Sequence, residues 1–337
     1  MIAALIAFAA AFPALADTVR IASFHTELSA RGPGLALRDV TEDAPEARQV
    51  LGMIARARPD IVMLQGIDYD AGGALLRAMQ DRLEAAGHPM PHAFAAAPNS
   101  GLPSGIDLDG DGRLGQPRDA QGYGRFFGAG GLAILSRHPV ERDGVRDLST
   151  LLWSDLPGSL APETDLSPEA RAIQRLSSTA HWVVPVRVGD TRLNIVTWAA
   201  TPPLFQPSNA ARNHDETAVI LRLLDGELPV PAPDPPFAIA GLANADPDRG
   251  AGRPDALRAL LGDPRVTDPL PQREGDRATA SFGDTALRLS YVLPSRDLGV
   301  VASGLLDPAD IAAIDGIERG TRHRLVWVEV ALPGGPS

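Results

Sequence analysis

The 337-residue chain contains no cysteine, which excludes disulfides, thiol nucleophiles and cysteine-bound zinc. It also lacks a basic excess: 31 Lys and Arg against 42 Asp and Glu leave a formal charge of −11. That balance argues against a broad nucleic-acid surface, although a metal or a local basic groove can still carry phosphate on an acidic protein. Internal repeats are absent, and past residue 16 no apolar run is long enough to cross a bilayer. No Pro- or Ser-rich linker is long enough to demand a second domain. What is present reads as globular: 44% hydrophobic and 22% charged residues, with 33 Gly and 31 Pro that predict many turns and long loops.

Residues Met1–Ala16 are apolar and end in Ala14-Leu15-Ala16, a signal-peptidase pattern before Asp17. The segment has no Lys or Arg and is too short to span a membrane. A cleaved signal is expected over 1–16, with a buried first helix or an anchor as the alternatives. Residues 17–337 are then expected to form one exported domain, periplasmic or secreted, with no membrane contact after cleavage.

Periodicity predicts strands at Thr18–His25, Asp60–Ile67, His92–Ala97, Gly131–Ser136, His181–Val188 and Arg192–Ala199, the last two joined by a Gly189-Asp190 hairpin. Further strands are expected at Phe237–Leu242, near Leu287–Pro294 and Gly299–Ser303, and at His323–Leu332. Helical spacing marks Glu42–Ala57, Ala71–Ala86, Ala210–Leu224 and Pro254–Leu261, with a short helix near Pro168–Arg175. Asn99–Phe127 is a Gly- and Asp-rich insert loop, long enough to suggest a function or a bound ion. Strands interleaved with helices and hairpins imply an α/β (α+β) sandwich with mixed sheets. In Pro236–Pro247 a buried strand delivers Asn244 just past its C-terminal end, where open α/β sheets build sites. Leu242 stands where phosphate and metal chemistry would want a carboxylate.

Eight stretches, IASFH, PDIVMLQGID, GGLAILSRHPV, NIVTWAATPP, RNHDE, GLANADP, LSYVLPSRDL and RHRLVWVEV, stand in an order that resembles the endonuclease/exonuclease/phosphatase (deoxyribonuclease I-like) family, most closely its secreted bacterial branch. The resemblance runs from about Arg20 to Val330 and implies a four-layer sandwich of two mixed β-sheets flanked by helices. It also implies hydrolysis of phosphate esters with a divalent metal. Carried over residue by residue, the Asn ending the first strand would be His25 and the metal-binding Glu would be Gly66. The His before the TPP turn would be Ala199, and the Asp of the GDxN motif would be Leu242, with its Asn kept as Asn244. The Asp before YVLPS would be Ser290. Of the Asp-His pair before the last strand, Arg322 replaces the Asp and His323 survives.

Hard divalent cations take oxygen ligands, and water attack on phosphorus needs a base and a charge-stabilising group. Losing one such group costs orders of magnitude in rate. Five losses, at Gly66, Ala199, Leu242, Ser290 and Arg322, imply a phosphoesterase fold with an erased site that acts by binding a phosphate ester or another anion. The main alternative is an active phosphodiesterase or phosphatase using Mg²⁺ or Mn²⁺ in a rebuilt site of Glu27, Asp68 and His323. Asp70, Asp215 and Asp246 are also near the expected site loops, while Asp68 and Asp70 suit helix capping equally well. A third reading is a calcium-braced structural or interaction protein. Its basis is Asp107, Asp109 and Asp111 in a D-x-D-x-D-G start, with Arg118 at the twelfth position and Asp119 one residue late.

His25 and His323 are expected to face each other as a hydrogen-bonded pair. Arg322, beside Asn244 and His323, would either hold an anion or pair with a nearby carboxylate. Arg212–Glu216 reads as the polar first turn of a helix. No protein partner can be read from the sequence, and the fold alone names no substrate.

Overall fold

The computed structural model describes residues 18–312, 314, 316–317 and 320–333. The expected signal segment 1–16 lies outside the described residues. In chain order the elements are β1 (Thr18–His25), α1 (Leu35–Thr41), α2 (Pro45–Ala57), β2 (Ile61–Ile67), α3 (Ala74–Ala85), β3 (His92–Phe94), β4 (Gly131–Ser136), β5 (Arg146–Asp147) and α4 (Pro168–Ile173). There follow β6 (Trp182–Val188), β7 (Thr191–Ala199), α5 (Asn209–Leu224), β8 (Phe237–Leu242), α6 (Asp255–Leu261), β9 (Ala280–Phe282), β10 (Thr285–Leu287), β11 (Ser290–Pro294), β12 (Gly299–Leu306) and β13 (Leu325–Ala331).

One sheet has the order β12-β13-β1-β2-β4-β3, the other β11-β8-β7-β6-β5. Both are mixed: β1 runs parallel to β2 and β7 to β8, while the other pairs within these sheets are antiparallel. The alternation of side chains along each strand makes the layers. In β1, Val19 and Ile21 face the second sheet, whereas Ala22 and Phe24 face the helices. In β8, Ala238 and Ala240 point between the sheets, and Phe237 and Ile239 point outward. Outside the first sheet, Val50, Met53 and Ile54 of α2 join Leu75, Met79 and Leu83 of α3. Outside the second, Val219, Ile220 and Leu223 of α5 join Leu257 and Leu260 of α6. The result is helix, sheet, sheet, helix, as the family resemblance implies.

α1, β5 and the β9–β10 hairpin were not legible in advance. α1 is short and begins after Gly34 in the left-handed region, without a capping side chain. β9 and β10 form a separate two-stranded hairpin that bridges to His323 through Ala280. The expected strand His323–Leu332 starts two residues late because His323 takes part in that bridge.

Candidate functional site

A cleft of about 840 Å³ opens at one end of the sandwich. Its walls carry His25 and Gly66 from the ends of β1 and β2, Ala199 and Leu242 from the ends of β7 and β8, then Asn244, Arg322 and His323. The expected positions thus converge, because both parallel pairs end at this mouth. β7 keeps Ala199 on the inner face, and Trp198 lies on the helix side against Tyr291.

The side chains that arrive do not form an oxygen cage. Leu242 is 3% exposed and packs with Ala280, Leu289, Phe282 and Leu287, so the β9–β10 hairpin closes apolar surface over it. Ser290 pairs with Leu242 in register, is fully buried, and leaves its Oγ without a partner below the cleft. Arg322 donates from its backbone N to Glu27 Oε2 at 2.7 Å and from Nε to Oε1 at 2.9 Å, and its Nη2 also bonds Oε1. Its guanidinium lies 4.8 Å over the Phe282 ring. Of the two roles open to Arg322, the structure shows the carboxylate pair. Burial acts to raise the Glu27 carboxyl, but the hydrogen bonds and charge of Arg322 outweigh it and hold the pKa low.

Gly66 and His25 fit one another. Gly66 has φ +67°, and a Cβ there would stand 2.6 Å from His25 Cε1 and 3.0 Å from His25 Nδ1. The imidazole occupies the space where the side chain of residue 66 would begin. His25 and His323 do meet, with ring centroids 4.5 Å apart, but edge to face. The expected mutual hydrogen bond is replaced by ring packing, and both Nδ1 atoms are buried without a partner. Burial pushes the His25 pKa down to about 4. It pushes His323 to about 2, with the nearby charges of His25 and Arg322 adding to it.

Of the carboxylates at or near the expected site, Asp68, Asp70, Asp215 and Asp246 are occupied elsewhere, and Glu27 alone stays beside His323. Asp68 accepts from Ser29 Oγ at 2.7 Å and from the amides of Ala30 and Gly130 at 3.0 Å each. It latches two loops, caps no helix and does not join Glu27 and His323. His25 takes its place in the cluster of ligand-type side chains with Glu27 and His323. Asp70 does cap α3, accepting from Ala74 N and Leu75 N. Asp215 is buried against Trp153 Nε1, Leu160 N and His214. Asp246 lines the cleft but accepts from the amides of Asp248, Arg249 and Arg288.

The polar run 212–216 does lie near the start of α5, but Arg212, Asn213, Asp215 and Glu216 are buried. Arg212 binds the carbonyls of Leu176, Arg175 and Gln121, while Glu216 accepts from Ser178 N and Thr201 N at 2.5 Å each. Both side chains are buried, which pushes the Glu216 pKa up and the Arg212 pKa down. They pin the loops flanking the cleft to α5.

In the insert loop, Asp107, Asp109 and Asp119 converge. Asp111 does not; it accepts instead from Arg113 N and Gln116 Nε2. The late acidic residue is drawn in because Asp119 accepts from Leu108 N and Gln116 N, folding the loop onto its own start. These acidic groups could hold a divalent metal.

Three non-glycine residues with positive φ line the cleft: Glu27 (54°), Phe205 (75°) and Asn244 (50°). Such strain concentrates at binding sites. Sequence reasoning missed the apolar rim, where Tyr123, Leu204 and Phe205 are exposed. The signal available was the Leu204-Phe205 pair just after the Pro202-Pro203 turn.

Residues 28–323 match the profile of the Endonuclease/Exonuclease/phosphatase family. No curated protein sequence matches the chain. Among solved structures, the endonuclease/exonuclease/phosphatase from Beutenbergia cavernae DSM 12333 superimposes with a TM-score of 0.55 at 18% identity, over 95% of this chain and 72% of its own. The family protein from Leptotrichia buccalis C-1013-b gives 0.54 at 11% identity, over 93% and 99%. The catalytic domain of human Nocturnin, solved with a bound sulfate anion, gives 0.52 at 12%, over 95% and 96%.

Proposed function

The chain belongs to the endonuclease/exonuclease/phosphatase family and has its phosphoesterase fold, and from that premise we propose that this member binds a phosphate ester or a related anion without hydrolysing it. The observation that carries the proposal is Leu242, buried under Leu289, Phe282 and Leu287 where the family resemblance calls for a carboxylate. The family's hard divalent metal does not fit the residues at the expected positions. Gly66, Leu242 and Arg322 offer no side-chain oxygen there, and Ser290 Oγ is buried beneath the cleft.

Binding remains chemically reasonable. Arg125 lines the cleft, exposed, with no hydrogen-bond or ion-pair partner among the described residues. Arg249 lines it too, its guanidinium 3.5 Å from Asp246, which already accepts three amides, and close enough to Asp276 to act on it by charge. Two loosely held guanidiniums beside an apolar wall suit an anion with an apolar body. That the Nocturnin neighbour carries a sulfate is consistent with anion capture on this fold. In this reading the domain, residues 17–337, is exported after removal of 1–16. Ca²⁺ at Asp107, Asp109 and Asp119 braces the insert loop and takes no part in chemistry.

Calorimetric titration with p-nitrophenyl phosphate in metal-free buffer tests the proposal. Binding is expected, weakened at least about tenfold in Arg125→Gln/Arg249→Gln, the loss of two charge-assisted contacts. Equal affinity in that variant, or none in the parent, overturns it.

A further inference from the structure

His25, Glu27 and His323 each offer one ligand atom, and these atoms lie within 4.8 Å of one another at the cleft wall. A chance meeting of polar side chains would satisfy its own hydrogen bonds, because unpaired buried polar atoms destabilise a fold. Here the Nδ1 atoms of His25 and His323 are both buried and both unpaired. His323 is 3% exposed, so water does not reach around it. Two orphaned imidazole nitrogens in adjoining rings are what a missing shared partner would leave.

Glu27 completes a donor set. A carboxylate has about four lone-pair sites. Arg322 uses two on Oε1 and one on Oε2, which leaves a site on Oε2. Held this way, the carboxylate is oriented by an outer partner, as carboxylate ligands commonly are. Gly66 is the positioning residue for the imidazole, since only a residue without Cβ leaves room for the His25 ring.

We propose that His25, Glu27 and His323 bind a borderline divalent transition metal of the Zn²⁺ and Co²⁺ class. Two imidazoles and one carboxylate suit such ions and not Mg²⁺, and three protein ligands leave one coordination position for water or ligand. Bonds of about 2.0–2.1 Å bring ligand atoms to roughly 3.5 Å from each other, so the three side chains draw together when the ion enters. The all-carboxylate group Asp107, Asp109 and Asp119 is of the opposite chemistry and favours hard cations. The inference rests on the preceding reading only in that the family's own hard-metal ligands are gone.

The test is titration of the mature, tag-free chain with Co²⁺. One equivalent is expected to give visible d–d absorption that Zn²⁺ abolishes and excess Mg²⁺ or Ca²⁺ leaves unchanged. Glu27→Gln is expected to weaken binding at least about tenfold, and His25→Gln and His323→Gln are each expected to lose the band. Absence of the band, or its full retention in both histidine variants, overturns the proposal. Should those variants misfold, X-ray absorption of the Zn²⁺-loaded parent decides: two imidazoles in the first shell support the site, and none overturns it. A bis(p-nitrophenyl) phosphate assay on Zn²⁺-loaded protein separates the two claims. Turnover there refutes the non-hydrolysing reading and leaves the metal site standing. A chain that binds no Co²⁺ and cleaves nothing refutes the metal site alone.

Discussion

Gly66→Ala is the most informative single substitution, because it asks whether one imidazole has taken the space of a side chain. Two costs follow from the structure. Gly66 sits at φ +67°, where a residue with Cβ loses about 1–2 kcal/mol. The added methyl would then stand 2.6 Å from His25 Cε1 and 3.3 Å from Glu27 N. The ring is hemmed in by His323 at 4.5 Å, so relief requires repacking. Overpacking of this kind costs about 1–3 kcal/mol, and the total is about 2–5 kcal/mol. At roughly 2–4 °C per kcal/mol for a chain of this size, the Tm should fall by roughly 4–20 °C in a metal-free scan, with a matching loss in urea titration. The companion variant His25→Asn removes the ring. In Gly66→Ala/His25→Asn the clash vanishes while the backbone cost stays, so the two changes should be non-additive by about 1–3 kcal/mol. Additivity within about 0.5 kcal/mol would refute the claim that His25 fills the space at Gly66.

Other outcomes follow from the same structure. Leu242→Asp should be severely destabilising, by more than about 3 kcal/mol, because the carboxylate would be buried among Leu289, Ala280 and Phe282; an unchanged urea midpoint would contradict this. His181 is buried between Ser177 and the Glu216 carbonyl, and burial pushes its pKa to about 4. A lowered folded pKa means the unfolded chain binds more protons below its ordinary value near 6.5. Stability is therefore full above about pH 6.5 and falls as pH drops toward 4. His181→Gln should flatten that slope in urea midpoints measured from pH 7 to 4. Burial and then the nearby Asp111, Asp119 and Asp107 push the Asp109 pKa up. Asp109→Asn should consequently raise the Tm in EDTA and lose that advantage in millimolar Ca²⁺; a fall in EDTA would contradict this.

Much of the fold was legible because burial imposes period two. β1 and β4 have the bounds that alternation and apolar runs predict, and the Gly189-Asp190 turn fixes β6 and β7 as a hairpin. Asn244 lies just past the end of β8, where the apolar run stops. Short elements escaped, since α1 and the β9–β10 hairpin are held by packing more than by local propensity. At the site, the five substituted positions were readable one by one, but not what replaces their contacts. That His25 takes the space at Gly66, and that Glu27 captures Arg322, are facts of three dimensions. Asp68 and Asp111 looked like ligands because acidic residues near loops usually do. Only the amides that point at them reveal a structural role. Asp119 enters its cluster because the loop folds back, which spacing alone does not state.

The cleft is proposed to bind without cleaving. The most direct measurement is release of p-nitrophenol from bis(p-nitrophenyl) phosphate and p-nitrophenyl phosphate by the mature chain, with Mg²⁺, Mn²⁺ or Ca²⁺, beside His323→Ala. Rates equal to buffer are expected for both proteins with every ion. Turnover in the parent that disappears in His323→Ala would contradict it.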